Sequence, residues 1–203
     1  MVMQAIEAKT STQEQRLVVP GRHTWEQFKT MQAWADRIPG LQITYLDGYI
    51  ELMTTGEDHE IFKKLIAILL ETYFFEQGIR FIPVGNATRE AEEHGASFEP
   101  DESYYIGNKK AHPDLAIEIV MASGGIGKLE KYKRFKVREV WFWQNNQIAV
   151  HALRDADNPE HIHYEQVSQS ELLPALDLAL FVQCIAITDV FEARATFLSR
   201  LRQ

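Results

Sequence analysis

The sequence predicts a mixed α/β domain built around a central sheet. Three features carry that expectation. Apolar residues recur at helical spacing through Phe62, Leu65, Ile66, Leu69, Leu70 and Tyr73. The run DLAIEIV, residues 114–120, is almost continuously apolar, the pattern of a strand buried on both faces. Asp47-Gly48 stands between two alternating runs, the strongest short-range hairpin signal. With 203 residues, 45% hydrophobic and 25% charged, the chain fits one ordinary globular domain able to bury a full core.

The elements follow in order. Residues 1–18 are polar and aperiodic and read as a flexible extension, with 19–203 forming the single domain. Thr24-Trp25-Glu26-Gln27 has the spacing of a capping box, which opens a helix running to about Arg37 and stopping before Pro39-Gly40. LQITYLDGYIELM is the hairpin. A long helix then starts near Asp58-His59 and ends at Gly78. RFIPV reads as a short strand, and ATREAEEHGASFEPDESYYIG as polar loop followed by a strand after Pro100. After DLAIEIV, Gly124-Gly125 break the chain before a Lys/Arg-rich helix from Gly127 to about Phe135. REVWFW is the next strand, QIAVHALR and HIHYEQV pair as a hairpin, LLPALDLAL is an apolar connector, and Thr188-Asp189 start a last helix.

Composition bounds the setting. The single cysteine, Cys184, excludes an intramolecular disulfide and fits a reducing compartment. The opening residues MVMQAIEAKTSTQEQ lack the apolar core of a signal peptide, and no uncharged apolar run reaches the ~18 residues that span a bilayer. The expectation is a cytoplasmic protein without a membrane partner. The net charge of −8 counts against tight, non-specific coating of a duplex, but leaves room for a local cationic cleft.

Polar groups inside apolar strands need a reason, because a buried carboxylate is costly unless it is paired or binds metal. Glu118 stands in the middle of DLAIEIV, and alternation puts Asp114, Ala116, Glu118 and Val120 on one face. Asp101 follows Pro100 at the mouth of the preceding strand. Two carboxylates from adjacent strands make a hard oxygen site suited to Mg²⁺ or Mn²⁺. Such ions activate water and neutralise charge in phosphodiester cleavage. Lys128, at a helix start beyond Glu118, is placed to orient the attacking water or to stabilise developing negative charge. The residues alone equally allow Glu118 to be a structural carboxylate salt-bridged to a lysine or arginine.

The ordered string Pro100-Asp101, Pro113-Asp114-Leu115, Glu118, Lys128, Tyr132 and Glu139-Val140-Trp141, preceded by DGYIELM and Glu57-Asp58-His59-Glu60, resembles the Uma family within the PD-(D/E)XK nuclease superfamily, over roughly residues 20–180. The resemblance implies a restriction-endonuclease-like fold, a mixed central sheet flanked by helices, and a Mg²⁺-dependent endonuclease acting on DNA. It makes Asp101 the aspartate of the PD half-motif and Glu118 the acidic residue of the other half. The superfamily's lysine position, two after Glu118, is Val120 here. The resemblance places the lysine on the following helix instead, at Lys128, with Lys131 as the fallback. It adds Glu51 as a supporting metal ligand, against the reading of a solvent-exposed strand carboxylate. His59 is either a helix-start polar residue or catalytic, and Asp114 either a ligand or a strand-start residue paired with a neighbour. Tyr132 and Glu139 support the site or the fold. Lys136 stands where the family often has glycine.

A rival reading keeps the fold without catalysis, as a dimeric binding or regulatory module, and RNA is a lesser alternative substrate. Nucleases that cut both strands often act as symmetric pairs, so a homodimer is expected, with the 147–167 hairpin and REVWFW as the apolar contact. His161-Ile162-His163 alternates on a strand but lacks a third ligand. KLEKYKRFKVR is either a phosphate-facing stretch or a solvated helix face. Cys184 reads as a small buried apolar residue.

Overall fold

The computed structural model describes residues 14–121 and 127–202. Among these residues the chain forms eleven strands and five helices, arranged as two sheets with helices packed on them. The capping box at Thr24 is formed. Thr24 Oγ1 accepts from the Gln27 N–H at 3.3 Å and Gln27 Oε1 accepts from the Thr24 N–H at 2.9 Å, which starts α1 (Trp25–Ala35). Strands β2 (Leu41–Leu46) and β3 (Tyr49–Thr54) form the expected hairpin, with Asp47 at φ 49° and Gly48 at φ 90°. A tight two-residue turn with both centres left-handed matches the twist of the strands it joins. Helix α2 (Glu57–Glu76) buries Leu65, Ile66, Leu69, Leu70, Tyr73 and Phe74.

The larger sheet is mixed. Strand β4 (Phe81–Pro83) pairs antiparallel with β7 (Glu102–Ile106), and β7 antiparallel with β8 (Leu115–Ile119). Helix α3 (Lys128–Arg134) leads to β9 (Glu139–Gln144), which lies parallel to β8. Then β10 (Gln147–Arg154) and β11 (His163–Val167) complete the order β11-β10-β9-β8-β7-β4. Residues Leu115, Ile117, Ile119, Trp141 and Trp143 point to one face, where they meet α2, α4 (Leu178–Ile185) and α5 (Val190–Leu201). Ala116 and Val140 point to the other, where they meet Tyr132 of α3, Phe135 at its end, and Leu46, Ala96 and Phe98 from the second sheet. Glu118 alternates onto this second face, so it lies under α3 rather than in the apolar core. Among the described residues no helix is long and apolar enough to cross a membrane.

Several expectations are corrected. Of the residues read as a loose extension, 1–13 lie outside those described. Gln15–Val18 instead form β1, paired antiparallel with β3. The outer edge of β3 offers backbone groups that a short strand satisfies, and Arg16 adds a contact to Glu51. The polar stretch before Pro100 contains a second hairpin, β5 (Arg89–Ala91) and β6 (Ala96–Phe98), turning at Gly95 with φ 56°. Two three-residue strands are too short to show alternation. LLPALDLAL is not wholly a connector: Asp177 Oδ1 accepts from the Leu180 N–H at 3.0 Å and starts α4. REVWFW cannot be a dimer contact, since β9 is interior to its sheet and Val140, Trp141 and Trp143 are buried. The Gly124-Gly125 break falls outside the described residues.

Helix α3 ends as the sequence departure at Lys136 requires. Lys136 N–H donates to Lys133 O at 3.0 Å and Val137 N–H to Tyr132 O at 3.3 Å. This is the reciprocal helix-end pattern in which the residue beyond the cap turns left-handed. Lys136 has φ 50°, a conformation better suited to glycine.

Candidate active site

Glu118 is 7% exposed, and both its oxygens are engaged. Lys128 Nζ donates to Oε2 at 2.7 Å, and the Tyr132 hydroxyl donates to Oε1. Lys128 and Tyr132 are four residues apart on α3, hence on one helical face, and that face lies over β8. Burial alone would raise the Glu118 pKa. The charges of Lys128 and Lys131 and the bonds from Lys128 and Tyr132 outweigh it and hold the carboxyl below its ordinary value. Tyr132 is pushed well up, first by burial and then by the charges of Glu118 and Asp101, so its hydroxyl keeps its proton.

Asp101 stands immediately before β7, the strand next to β8. The register that pairs Glu102 with Ile117 brings Asp101 opposite Glu118. Asp101 Oδ2 accepts from the Ile119 N–H at 2.7 Å and from His59 Nε2 at 3.2 Å. Its Oδ1 accepts no hydrogen bond among the described residues. His59 sits in the first turn of α2 and is 1% exposed. Burial opposes its protonation, but the bond and charge of Asp101, with Glu60 and Glu14 nearby, raise its pKa overall.

A second ring surrounds these groups. Lys131 is 4% exposed, with its ammonium over the Phe98 ring at 5.7 Å. Its pKa is pushed down to about 8, first by burial and also by Lys128, against the pull of Glu118 and Glu51. Glu51 is buried, not the solvent-exposed alternative, and Arg16 reaches it at 3.5 Å. Arg16 also pairs with Glu14, whose Oε2 is buried without a hydrogen-bond partner. Four carboxylates, Glu14, Glu51, Asp101 and Glu118, thus face three permanent or near-permanent cations, Arg16, Lys128 and Lys131. Near-balance of charge is what makes the cluster tolerable in a buried setting.

The donor set suits a hard divalent cation. Each Glu118 oxygen has a second lone pair, and Asp101 Oδ1 accepts no hydrogen bond from the described residues. Among the described residues no group of three or more His, Cys, Asp or Glu converges as a complete ligand cage. Mg²⁺ does not need one, since it is usually bound by one or two carboxylates with water and substrate phosphate filling the rest.

Other candidates lie elsewhere. Asp114 holds the β7–β8 turn, accepting from Ile106 N–H at 2.8 Å and from Lys110 at 2.6 Å. Glu139 is a structural clamp: it accepts from Ser170 Oγ at 2.7 Å, Trp141 Nε1 at 2.9 Å, and the Glu171 and Leu172 N–H groups at 2.6 and 2.8 Å. His161 and His163 are exposed, and Cys184 is buried as a free thiol. The basic stretch is neither a uniform phosphate-facing stripe nor a solvated face. Lys128 meets Glu118, Lys133 meets Glu130, Arg134 meets Asp47, and Lys131 is buried. Sequence reasoning missed Glu14 and Arg16 as members of the cluster; a lone Glu-x-Arg in a polar stretch carries no signal of burial.

A family model described as Uma2: Putative restriction endonuclease matches residues 25–186. That interval contains every member of the cluster except Glu14 and Arg16. No curated protein matches the chain.

Proposed function

Because the chain belongs to the Uma2 family and has a restriction-endonuclease-like fold, we propose that it is a Mg²⁺-dependent endonuclease that hydrolyses phosphodiester bonds in DNA. The observation that carries this reading is the meeting of Asp101, Glu118 and Lys128 at one spot: Lys128 lies 2.7 Å from Glu118, and Asp101 bonds the backbone of the next residue, Ile119. Asp101 and Glu118 would hold the ion, with Glu51 supporting the site through the charge it shares with Lys131 and Arg16. A bound ion supplies an activated water and neutralises charge at phosphorus.

The chain's own residues do the rest. Tyr132 fixes the Glu118 carboxylate from one side, leaving the second lone pair of each oxygen free. The Ile119 N–H and His59 fix Asp101 through Oδ2, so that Oδ1 is the oxygen presented. Lys128, cationic and already aimed at the carboxylates, donates to a phosphate oxygen as negative charge develops. α3 covers the buried groups and limits water, which strengthens each of these interactions.

The test is cleavage of supercoiled plasmid, single-stranded DNA and RNA with and without Mg²⁺ or Mn²⁺. Metal-dependent cleavage of DNA by the wild type, lost in Glu118→Ala, is the expected result. A folded wild type that binds DNA but cuts none of the substrates overturns catalysis and leaves a binding module.

A further inference from the structure

A second concentration of positive charge lies apart from the carboxylate cluster. A cavity of about 500 Å³ opens between Pro83 at the end of β4 and Val84 beyond it, Arg89 on β5, Tyr105 on β7, and Lys109 and Lys110 in the β7–β8 turn. No carboxylate lines it, in a chain whose net charge is −8. It is lined from β5, an edge strand of one sheet, and from β4, an edge strand of the other.

The three cations are not equivalent. Lys110 is already committed: its ammonium donates to both Asp114 oxygens at 2.6 Å and to Ile106 O at 3.2 Å. Those bonds tie down the turn that presents Lys109. Lys109 and Arg89 have no acidic partner among the described residues. The Arg89 Nε is shielded from solvent and makes no hydrogen bond. A buried donor left without an acceptor is costly, so the arrangement is incomplete as it stands. A guanidinium fork is matched best by the paired oxygens of a carboxylate or phosphate. The uncompensated charge is felt nearby, since His112 is lowered in pKa first by burial and then by Arg89.

The cavity is also in line with the candidate active site. Ser103 pairs with Ala116, so Asp101, Ser103 and Tyr105 follow the face that carries Ala116 and Glu118. Tyr105 is four residues from Asp101, roughly 13 Å along the strand at about 3.3 Å per residue. That span exceeds the step between adjacent phosphates, so a phosphate held at the cavity lies more than one nucleotide from the one at Asp101 and Glu118. We propose that this cavity is a phosphate subsite, in which Arg89 and Lys109 hold a backbone phosphodiester of the strand whose scissile phosphate lies at Asp101 and Glu118. This rests on the nuclease reading, because it takes its ligand from the substrate of that site.

The test is binding of a fluorescent oligonucleotide, read by anisotropy without divalent metal across a salt series. Each phosphate contact contributes about 0.9 to the slope of log affinity against log salt on duplex and about 0.7 on single strands. Arg89→Ala and Lys109→Ala are each expected to weaken binding and lower the slope, and the double variant to lower it by about that amount, equally for unrelated sequences, while Arg89→Lys keeps the slope with weaker binding. Lys109 is exposed in a turn, so its variant reports even if Arg89→Ala does not fold. Unchanged slope and affinity in folded variants overturn the subsite, and metal-dependent cleavage by the wild type, read separately, would still stand. If the wild type binds no oligonucleotide, but inorganic phosphate raises its melting temperature and not that of Arg89→Ala, the cavity is a free-phosphate site and the nucleic-acid assignment fails.

Discussion

Replacing Lys131 by methionine measures the burden of burying an amine in the site. Its pKa falls from the ordinary 10.5 to about 8 in the folded chain, chiefly through burial. At about 1.4 kcal/mol for each tenfold change in proton affinity, that fall is a folding penalty of about 3 kcal/mol while the amine is charged. Below pH 8 the amine is protonated folded and unfolded, and the penalty is present in full. Between about pH 8 and 10.5 the unfolded chain keeps a proton that the folded chain has released, so wild-type stability rises with pH. Methionine has similar length and no charge, and removes the titration. Lys131→Met should therefore be more stable than wild type at pH 7, by up to about 3 kcal/mol, and the advantage should shrink towards zero as the pH approaches 10.5. Urea unfolding followed by circular dichroism from pH 7 to 10 reads the difference directly. A stability difference that stays constant across that range would refute the reasoning, because it would mean that the amine is not desolvated.

Three further outcomes follow from the geometry. Lys128→Ala should lower cleavage by about 10²–10³ while remaining folded, and Lys131→Ala much less; the reverse ranking in single-turnover cleavage would sink the assignment of Lys128. Lys136→Gly should stabilise the chain by about 1 kcal/mol in urea unfolding, because position 136 is held at φ 50° after α3; a loss of stability would show that the side chain contributes more than the strain costs. With β9 buried, a homodimer has the β10–β11 hairpin left to pair through, at the sheet's open edge. Light scattering at micromolar concentration should then give the mass of two chains, and a one-chain mass counts against it.

The elements most legible in the sequence are those whose signal is local or strongly periodic. Thr24 and Gln27 form their capping box from four consecutive residues, Asp47-Gly48 specify a turn that needs two left-handed centres, and α2 repeats its apolar stripe over twenty residues. What was hidden depends on pairing across distance. β1 exists because β3 has an edge to fill, and β5 and β6 because β2 accepts β6 at Tyr45 and Leu46. Nothing within QRLV or REA announces those partners. α4 is obscured for another reason: apart from Asp177, LLPALDLAL is apolar, so the helical period has no polar face against which to stand out.

The site divides along the same line. Glu118 is visible in the sequence because a carboxylate inside DLAIEIV contradicts its surroundings, whereas Lys128 rests on its place at a helix start together with the family resemblance, and Tyr132 on that resemblance alone. Nothing in the sequence marks Lys131, the fallback for the site lysine, as buried, yet it is the buried cation of α3, with its ammonium over the Phe98 ring of the second sheet. That sheet is what sequence periodicity could not place. By laying β6 over α3, it removes Lys131 from water, and by carrying Glu51 and pairing with β1 it brings Arg16 and Glu14 to the same cluster. The two candidate carboxylates thus depend on β8 and on the residue that leads into β7, whereas the charges around them come from α3 and from both sheets together. Arg16→Ala removes a charge contributed by β1 without touching β7 or β8, so it should raise the Lys131 pKa, read from the pH dependence of stability, while leaving Asp101 and Glu118 in register.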